Sequence, residues 1–248
     1  MAVGHHDGPG HIAARLSAPT IAGDAIYVLA GDGGVIALDR ATGEVRWEAP
    51  IPNGIGTNVP SVADGLVYVG GEGFVAALNA ADGVLVWQAD IDAAGPIGVV
   101  VVADGVAYAG DGAPGGLHAF DARTGVELWT VEEPLFAPAV AGSIAVAGSP
   151  SGRVLGVDTA TGGERWRYQM SGASRPASTA DGVAYIASET GRRVFALDVA
   201  TGEKLWHFDI DGDVMCCVGV GSGLVIVPTM SGSLYAIAGD GQAIEPKP

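Results

Sequence analysis

Residues Ala196–Trp206 read A-L-D-V-A-T-G-E-K-L-W, and the same pattern occurs four more times in the chain. The other copies span Ala37–Trp47 (A-L-D-R-A-T-G-E-V-R-W), Ala77–Trp87 (A-L-N-A-A-D-G-V-L-V-W), Ala119–Trp129 (A-F-D-A-R-T-G-V-E-L-W) and Gly156–Trp166 (G-V-D-T-A-T-G-G-E-R-W). Each of the five tryptophans of the chain closes one copy, at intervals of 40, 42, 37 and 40 residues. A nearly constant period of this length indicates a repeat architecture.

Each repeat contains four short apolar runs separated by turns rich in glycine and aspartate. In the fifth copy these runs begin at Ala177, Val183, Val194 and Lys204. Short runs at this spacing favour β-strands joined by hairpins. Four strands in about forty residues form one blade of a β-propeller, so the sequence predicts an all-β protein.

The residue types within the repeated pattern suit a tight hairpin. Gly202 can adopt the positive φ that such a turn needs, and Asp198 and Thr201 can hydrogen-bond the turn amides. Ala196 is small where a ring or a neighbouring backbone must approach closely. Trp206 offers a large apolar plate, and because one blade cannot bury either of its faces alone, we expect each blade to stack on another.

The pattern resembles the tryptophan-docking motif of the PQQ-like (quinoprotein-type) β-propeller repeat family, from about Ala18 to Ile237. That family includes quinoprotein alcohol dehydrogenases, the lipoprotein of the outer-membrane assembly machinery, and sensor or scaffold domains. The resemblance implies that a tryptophan docks between adjacent blades. It implies this role for Trp47, Trp87, Trp129, Trp166 and Trp206. One fold hosts many functions, so the resemblance specifies function only weakly.

We therefore predict one six-bladed propeller domain, residues 1–248, with four-stranded antiparallel blades. The predicted blades span about 18–48, 60–88, 97–131, 138–168, 176–208 and 214–248. The sixth repeat lacks the tryptophan and the Thr-Gly turn, and an open sheet edge is unfavourable. We expect residues 1–17 to be either a leader or a closing strand, with His11–Leu16 pairing beside the sixth blade.

The composition excludes several classes of protein. The net charge of −16 argues against binding to nucleic acid or to an anionic membrane, and no apolar stretch is long enough for a membrane helix. The first ten residues have neither the basic nor the apolar region of a signal peptide, so the sequence as given predicts a cytoplasmic protein. An extracytoplasmic location is the alternative if the chain is part of a longer protein.

Polar residues in the predicted loops around a central channel are the candidate binding residues. They are Asn53, Asn58, Arg175, Arg192, Asp211 and Asp213. Ordinary hydrated loop residues are the simpler interpretation of the same positions. Asp209, Asp211 and Asp213 also form a weak calcium motif, because glycine stands fourth rather than sixth and no glutamate follows at the required distance.

Cys216 and Cys217 are adjacent, as are the cysteines beside the quinone in quinoprotein alcohol dehydrogenases. That resemblance makes pyrroloquinoline quinone and calcium candidate cofactors. However, this chain is shorter, and all five tryptophans are assigned to the repeats, which leaves none to stack on a quinone. A pair of buried cysteines that act as small apolar residues is the alternative.

Three functions fit these observations. The first is a non-catalytic binding or scaffold module that holds a protein or peptide partner, without a cofactor. The second is an oxidoreductase-like enzyme that binds quinone or calcium at the channel mouth. The third is an engineered or purely structural propeller. The sequence contains no nucleophile, metal-ligand or phosphate-binding motif, which favours the first function.

Overall fold

The structure is a computed structural model that describes residues 16–30, 34–51, 59–92, 97–110, 116–214 and 218–242. Within these ranges the regular secondary structure consists of 23 β-strands and contains no helix. The strands are β1 Thr20–Ala22, β2 Ala25–Ala30, β3 Gly34–Asp39, β4 Val45–Pro50, β5 Ser61–Ala63, β6 Leu66–Gly71, β7 Phe74–Asn79, β8 Leu85–Asp90, β9 Val101–Ala103, β10 Val106–Gly110, β11 Leu117–Asp121, β12 Glu127–Val131, β13 Ala139–Ala141, β14 Ile144–Gly148, β15 Arg153–Asp158, β16 Glu164–Gln169, β17 Ser178–Ala180, β18 Val183–Ser188, β19 Arg193–Asp198, β20 Lys204–Asp209, β21 Gly219–Gly221, β22 Leu224–Pro228 and β23 Leu234–Ala238.

The strands form six antiparallel sheets in which consecutive strands are neighbours. Sheets one to five are β1–β4, β5–β8, β9–β12, β13–β16 and β17–β20, and sheet six is β21–β23. Among the described residues the sixth sheet has three strands, where four were expected. There the segment after β23 forms the turn Gly239–Gly241 and ends at Gln242, the last residue described.

The hairpin between the third and fourth strands of each repeat is closed by a side chain. In the fifth repeat, the Asp198 carboxylate accepts hydrogen bonds from the Thr201 backbone N–H (2.8 Å) and hydroxyl (3.0 Å), and Gly202 has φ 71°. In the second repeat, the Asn79 amide oxygen accepts a bond from the Ala81 N–H at 2.8 Å. The turn therefore requires a side-chain acceptor at this position, and either a carboxylate or an amide supplies it.

Each repeat tryptophan lies against the turn glycine of the following sheet. Its indole N–H donates to a backbone carbonyl just before that glycine, and a Cβ on the glycine would overlap the indole ring. The five pairs of donor and acceptor, with Nε1–O distances, are Trp47 and Ala80 (3.0 Å), Trp87 and Ala122 (2.9 Å), Trp129 and Thr159 (2.9 Å), Trp166 and Val199 (2.7 Å), and Trp206 and Gly239 (2.8 Å). The corresponding glycines are Gly83, Gly125, Gly162, Gly202 and Gly241.

Burial of these tryptophans differs along the chain. The first four are 8–9% exposed. Trp206 is only half-buried, because the turn on which it packs belongs to the sixth sheet, which has no fourth strand among the described residues. In the first two repeats a tyrosine donates a second hydrogen bond to the carbonyl that accepts from the tryptophan. The Tyr27 hydroxyl donates to the Ala80 carbonyl and the Tyr68 hydroxyl to the Ala122 carbonyl, both at 3.1 Å.

The core lies between the faces of neighbouring sheets. One apolar cluster joins sheets one and two, a second joins sheets two and three, a third joins sheets four and five, and a fourth joins sheets five and six. The chain forms two compact units, Met1–Leu128 and Trp129–Pro248. Each of these four clusters lies within one unit. Stacking of amphipathic sheets thus buries the apolar side chains that no sheet could bury alone.

The predicted closing strand falls almost entirely outside the described residues. Of His11–Leu16, only Leu16 is described, and it pairs antiparallel with Ala30 of its own sheet. Ser174 pairs with Ser188 in the fifth sheet in the same way. Leu16 therefore lies where the chain enters the first sheet, and the pairing of the preceding residues stays a prediction.

Candidate functional site

The candidate site lies in two loops of the second unit. One loop, Glu189–Arg192, joins β18 to β19, and the other, Ile210–Val214, follows β20. Two backbone bonds hold the loops side by side: the Ile210 N–H donates to the Arg192 carbonyl at 3.0 Å, and the Val214 N–H donates to the Glu189 carbonyl at 3.3 Å. We call this pair of loops the fifth-sheet loop edge. It brings together Arg175, Arg192, Asp211 and Asp213 of the predicted site residues.

Arg192 has a left-handed backbone conformation, with φ 52°. The equivalent position in sheets two and four is a glycine, Gly73 (φ 74°) and Gly152 (φ 81°). The equivalence is exact in hydrogen bonding, because the Gly73 and Gly152 carbonyls accept N–H bonds from Ile91 (2.7 Å) and Met170 (2.8 Å), as Arg192 does from Ile210. A long side chain in this conformation costs free energy, and such strain is characteristic of functional positions.

The Arg192 side chain projects into solvent. It is 62% exposed, and its Nε lies 3.4 Å from the Asp213 Oδ1. This is a long contact between exposed charges, and such pairs contribute little to stability. The guanidinium therefore keeps most of its hydrogen-bonding capacity for a partner, since it has five N–H donors in a planar fork.

Arg175 has a structural role instead. Its Nη2 lies 2.6 Å from the Glu189 Oε1, and its Nε donates to the Val214 carbonyl at 3.4 Å. Only 22% of the side chain is exposed. One guanidinium thus connects both loops of the fifth-sheet loop edge, and it holds the backbone on which Arg192 and Asp213 lie.

Asp211 is surrounded by hydroxyl groups from sheet six. Its carboxylate accepts hydrogen bonds from Ser233 (2.6 Å), Ser231 (2.8 Å) and Thr229 (3.3 Å). The bonds from Ser233 and then Ser231 hold the pKa of Asp211 below its ordinary value. The backbone N–H of Asp211 donates to the Tyr235 hydroxyl at 3.1 Å. Asp211 therefore links the second loop to the sixth sheet.

The three aspartates of the weak calcium motif have separate partners. Asp209 lies 2.5 Å from the Arg193 Nε, and this arginine lowers the pKa of Asp209. Asp211 bonds the hydroxyls and Asp213 contacts Arg192. Within the described residues, no three histidine, cysteine, aspartate or glutamate side chains group together as metal ligands. The arrangement therefore supports ion pairs and loop anchoring.

Four of the predicted site residues lie outside the part of the chain that the structure describes. They are Asn53, Asn58, Cys216 and Cys217. The structure also adds residues that the prediction omitted, namely Thr229, Ser231, Ser233 and Tyr235. The sequence Thr229–Ser233 reads T-M-S-G-S, and its three closely spaced hydroxyl residues are the signal by which an anchor for Asp211 could have been found.

The described residues include no helix capable of crossing a lipid bilayer.

Comparison with known proteins relates the chain to β-propellers. The family model described as "Outer membrane protein assembly factor BamB" matches residues 10–94, 52–190 and 170–244. Among solved structures, the computationally designed Ika8 protein is 17% identical with a TM-score of 0.80, over 93% of this chain and 73% of that one. BamB from Moraxella catarrhalis is 20% identical with a TM-score of 0.71, over 88% and 70% of the two chains.

No curated protein sequence matches the chain significantly. At these identities the two solved structures show the fold alone, which is a β-propeller. The family model, in contrast, covers most of the chain, and its matches overlap from one repeat to the next as a repeated motif requires. This match agrees with the six sheets and the repeated turns of the structure. The chain belongs to the PQQ-like repeat family whose model is described as outer membrane protein assembly factor BamB.

Proposed function

We propose that this protein is a non-catalytic binding platform that holds a protein or peptide partner at the fifth-sheet loop edge. The model of the family to which it belongs is described as an outer membrane protein assembly factor, which supports a protein as the partner. A rigid propeller with exposed loops is suited to this task, because loops held on a rigid scaffold commonly carry binding residues.

The observation that carries the proposal is Arg192. Sheets two and four have glycine at the equivalent position, so the turn itself does not need a side chain there. The chain nevertheless carries an exposed guanidinium in a strained conformation, and Arg175 and Asp211 fix the loops around it. Arginine is enriched where binding energy concentrates in protein interfaces, which supports a contact with a partner at this position.

The platform needs neither quinone nor calcium in this proposal. Each repeat tryptophan packs its ring on a turn glycine and donates its only N–H to a backbone carbonyl, so none of them is available to stack on a planar cofactor. The carboxylates of Asp209, Asp211 and Asp213 are divided among three different partners.

The stability effect of Arg192→Gly is the first test. Glycine adopts φ 52° without the penalty of a side chain. We expect the variant to gain about 1 kcal/mol in the free energy of unfolding, measured by urea denaturation, because the strain of one left-handed residue is of this size. A loss of stability instead would show that the Arg192 side chain serves the fold.

Binding is tested with a displayed library of random peptides selected on the full chain. We expect the selected peptides to bind Arg192→Gly more weakly than the parent. Arg40→Gly is a matched control, because Arg40 is also exposed but lies in a hairpin turn of the first sheet. Peptides that bind all three proteins equally, or a library that yields none, would contradict the proposal and favour a purely structural propeller.

A further inference from the structure

The outer strand of the second sheet carries a run of exposed apolar side chains. Val84 is 61% exposed, Leu85 48% and Val86 47%. β8 is the last strand of its sheet, and no described strand pairs with its outer edge. Apolar residues on an unpaired edge favour pairing with a strand of another chain, and proteins usually prevent this with charged side chains.

The same three positions carry charged residues in other repeats. They read E-V-R at Glu44–Arg46, G-E-R at Gly163–Arg165 and E-K-L at Glu203–Leu205, against V-L-V at Val84–Val86. In the first repeat Arg46 forms ion pairs with Asp24 and Asp39, each at 2.7 Å. The second sheet thus lacks the charges that protect the equivalent edges.

The apolar surface continues onto the third sheet. Val126 is 62% exposed and Leu128 is 49% exposed. The two segments approach each other where Gly125, next to Val126, packs on the ring of Trp87, next to Val86. We call Val84, Leu85, Val86, Val126 and Leu128 the outer apolar patch.

The surroundings of this patch on the second sheet are acidic. Residues 59–92 contain no lysine and no arginine, and they contain five carboxylates, at Asp64, Glu72, Asp82, Asp90 and Asp92. Asp82 lies just before the apolar run and Asp90 at the end of β8, and both are exposed. A complementary partner is therefore apolar in its middle and basic at its ends. A second copy of this chain, with a net charge of −16, lacks that complementarity.

We propose that the outer edge of β8 adds an extended strand from a partner protein, with apolar side chains at alternate positions and lysine or arginine at its ends. Backbone hydrogen bonds to the outer edge of β8 supply affinity in this mode, and side-chain contacts supply selectivity. The patch contacts every second side chain of the added strand, since alternate residues point to the same face. The proposal shares with the function above only the premise that the protein binds other polypeptides.

The test uses fluorescence anisotropy with a short synthetic peptide in which valine alternates with threonine between lysine ends. We expect it to bind the full chain, and Val86→Lys to weaken binding at least about tenfold. Leu205→Lys is the matched control, because Leu205 is 52% exposed and also directly precedes its repeat tryptophan. It should bind the peptide as the parent does. Val84→Lys serves as a second variant if Val86→Lys fails to fold.

Two further peptides test the components of the interaction. A backbone N-methylated version should not bind, and a version with glutamate ends should bind at least about tenfold more weakly. Equal binding by Val86→Lys and Leu205→Lys, or no binding to the parent, would overturn the proposal. So would a dimer of the parent that Val86→Lys abolishes, because a second copy would then be the occupant. Arg192→Gly does not alter β8. Failure of the proposal for the fifth-sheet loop edge can therefore be distinguished from failure of the proposal for β8.

Discussion

At the scale of single residues, glycine serves the turns for two separate reasons, backbone conformation and close packing. Two turn glycines of the third sheet distinguish these reasons. Gly105 and Gly125 lie in the same sheet and have φ 78° and 72°. A Cβ on Gly105 would meet no atom within 4 Å, whereas one on Gly125 would lie 2.6 Å from the Trp87 ring. Gly105 therefore serves backbone conformation alone, and Gly125 also admits the indole of the preceding sheet.

This difference predicts unequal effects of the same substitution. Gly105→Ala should cost about 1–2 kcal/mol of unfolding free energy, the usual penalty for a left-handed residue with a side chain. Gly125→Ala should cost roughly 1–3 kcal/mol more, because the added methyl group overpacks the Trp87 ring. Urea denaturation of both variants measures the difference. Equal losses would show that contact with the ring does not constrain the turn.

The roles of individual residues could be predicted from the sequence only where they are local. Asp198, Thr201 and Gly202 act within one turn, and their residue types were sufficient to indicate their roles. The left-handed backbone of Arg192 could not be predicted, because Gly191 beside it is the natural candidate for that conformation. The structure needs Gly191 for another reason, since a Cβ there would lie 2.3 Å from the Ser171 carbonyl oxygen, and the positive φ occurs at Arg192 instead.

At the scale of elements, the repeat tryptophans are expected to contribute unequally to stability. Trp87 is 8% exposed and contacts both Tyr68 and Phe120, with ring centroids 6.1 and 6.3 Å away. Trp87→Ala should therefore cost roughly 3–5 kcal/mol, as is usual for a buried aromatic residue. Trp206→Ala should cost less, because that ring is half-buried against a three-stranded sheet.

Chemical denaturation of the two tryptophan variants tests this order. Both tryptophans donate a similar indole hydrogen bond, at 2.9 Å for Trp87 and 2.8 Å for Trp206. A difference between the two losses of unfolding free energy therefore reports the burial of the ring rather than this hydrogen bond. An unchanged midpoint for Trp87→Ala, or a larger loss for Trp206→Ala, would contradict the argument.

The strands themselves were predictable because their signal is local and repeated five times. Apolar runs, turn glycines and closing tryptophans locate sheets one to five without any tertiary information. The three strands of the sixth sheet lie inside the predicted blade at 214–248, but their fourth partner could not be located from the sequence, because Ala238 stands where the pattern has its aspartate and no tryptophan follows. Even so, Gly241 has φ 86° and receives the ring of Trp206, so the turn keeps its packing role with different residues. The exposed edge of β8 was also missed, since exposure depends on the neighbouring strands.

At the scale of the whole molecule, the repeated turn aspartates predict loss of stability in acid. Arg165 and then Thr161 lower the pKa of Asp158 to about 2, Arg46 lowers that of Asp39, and Thr124 lowers that of Asp121. A carboxylate with a lowered folded-state pKa stabilises the fold above its unfolded value, and this contribution disappears as pH falls through the folded value. Stability should therefore fall from about pH 4 to about pH 2.

Urea midpoints measured across this range check the prediction, and Asp158→Asn is the informative variant. Asn79 holds the equivalent turn in the second repeat, so the asparagine should fold and lose only the ion pair with Arg165. The variant should be less stable than the parent at neutral pH, and the difference should shrink as the pH falls toward 2, because Asp158 becomes protonated around that pH. A constant difference at every pH would show that the Asp158 charge does not matter.

The same whole-molecule organisation leads to an expectation about cofactors. A quinone needs flat groups above and below its ring, polar or cationic partners at its edge, and commonly a cation beside it. Here the repeat uses the tryptophans for packing between sheets, Arg175 connects two loops, and Asp211 anchors to the hydroxyls of sheet six. The residues that would hold the cofactor thus already stabilise the propeller. We expect that calorimetric titration of the full chain with pyrroloquinoline quinone, with calcium present, gives no saturable heat. Micromolar binding that is abolished by Cys216→Ala would favour the oxidoreductase-like function over the binding platform, whereas binding unaffected by that variant would indicate a site elsewhere.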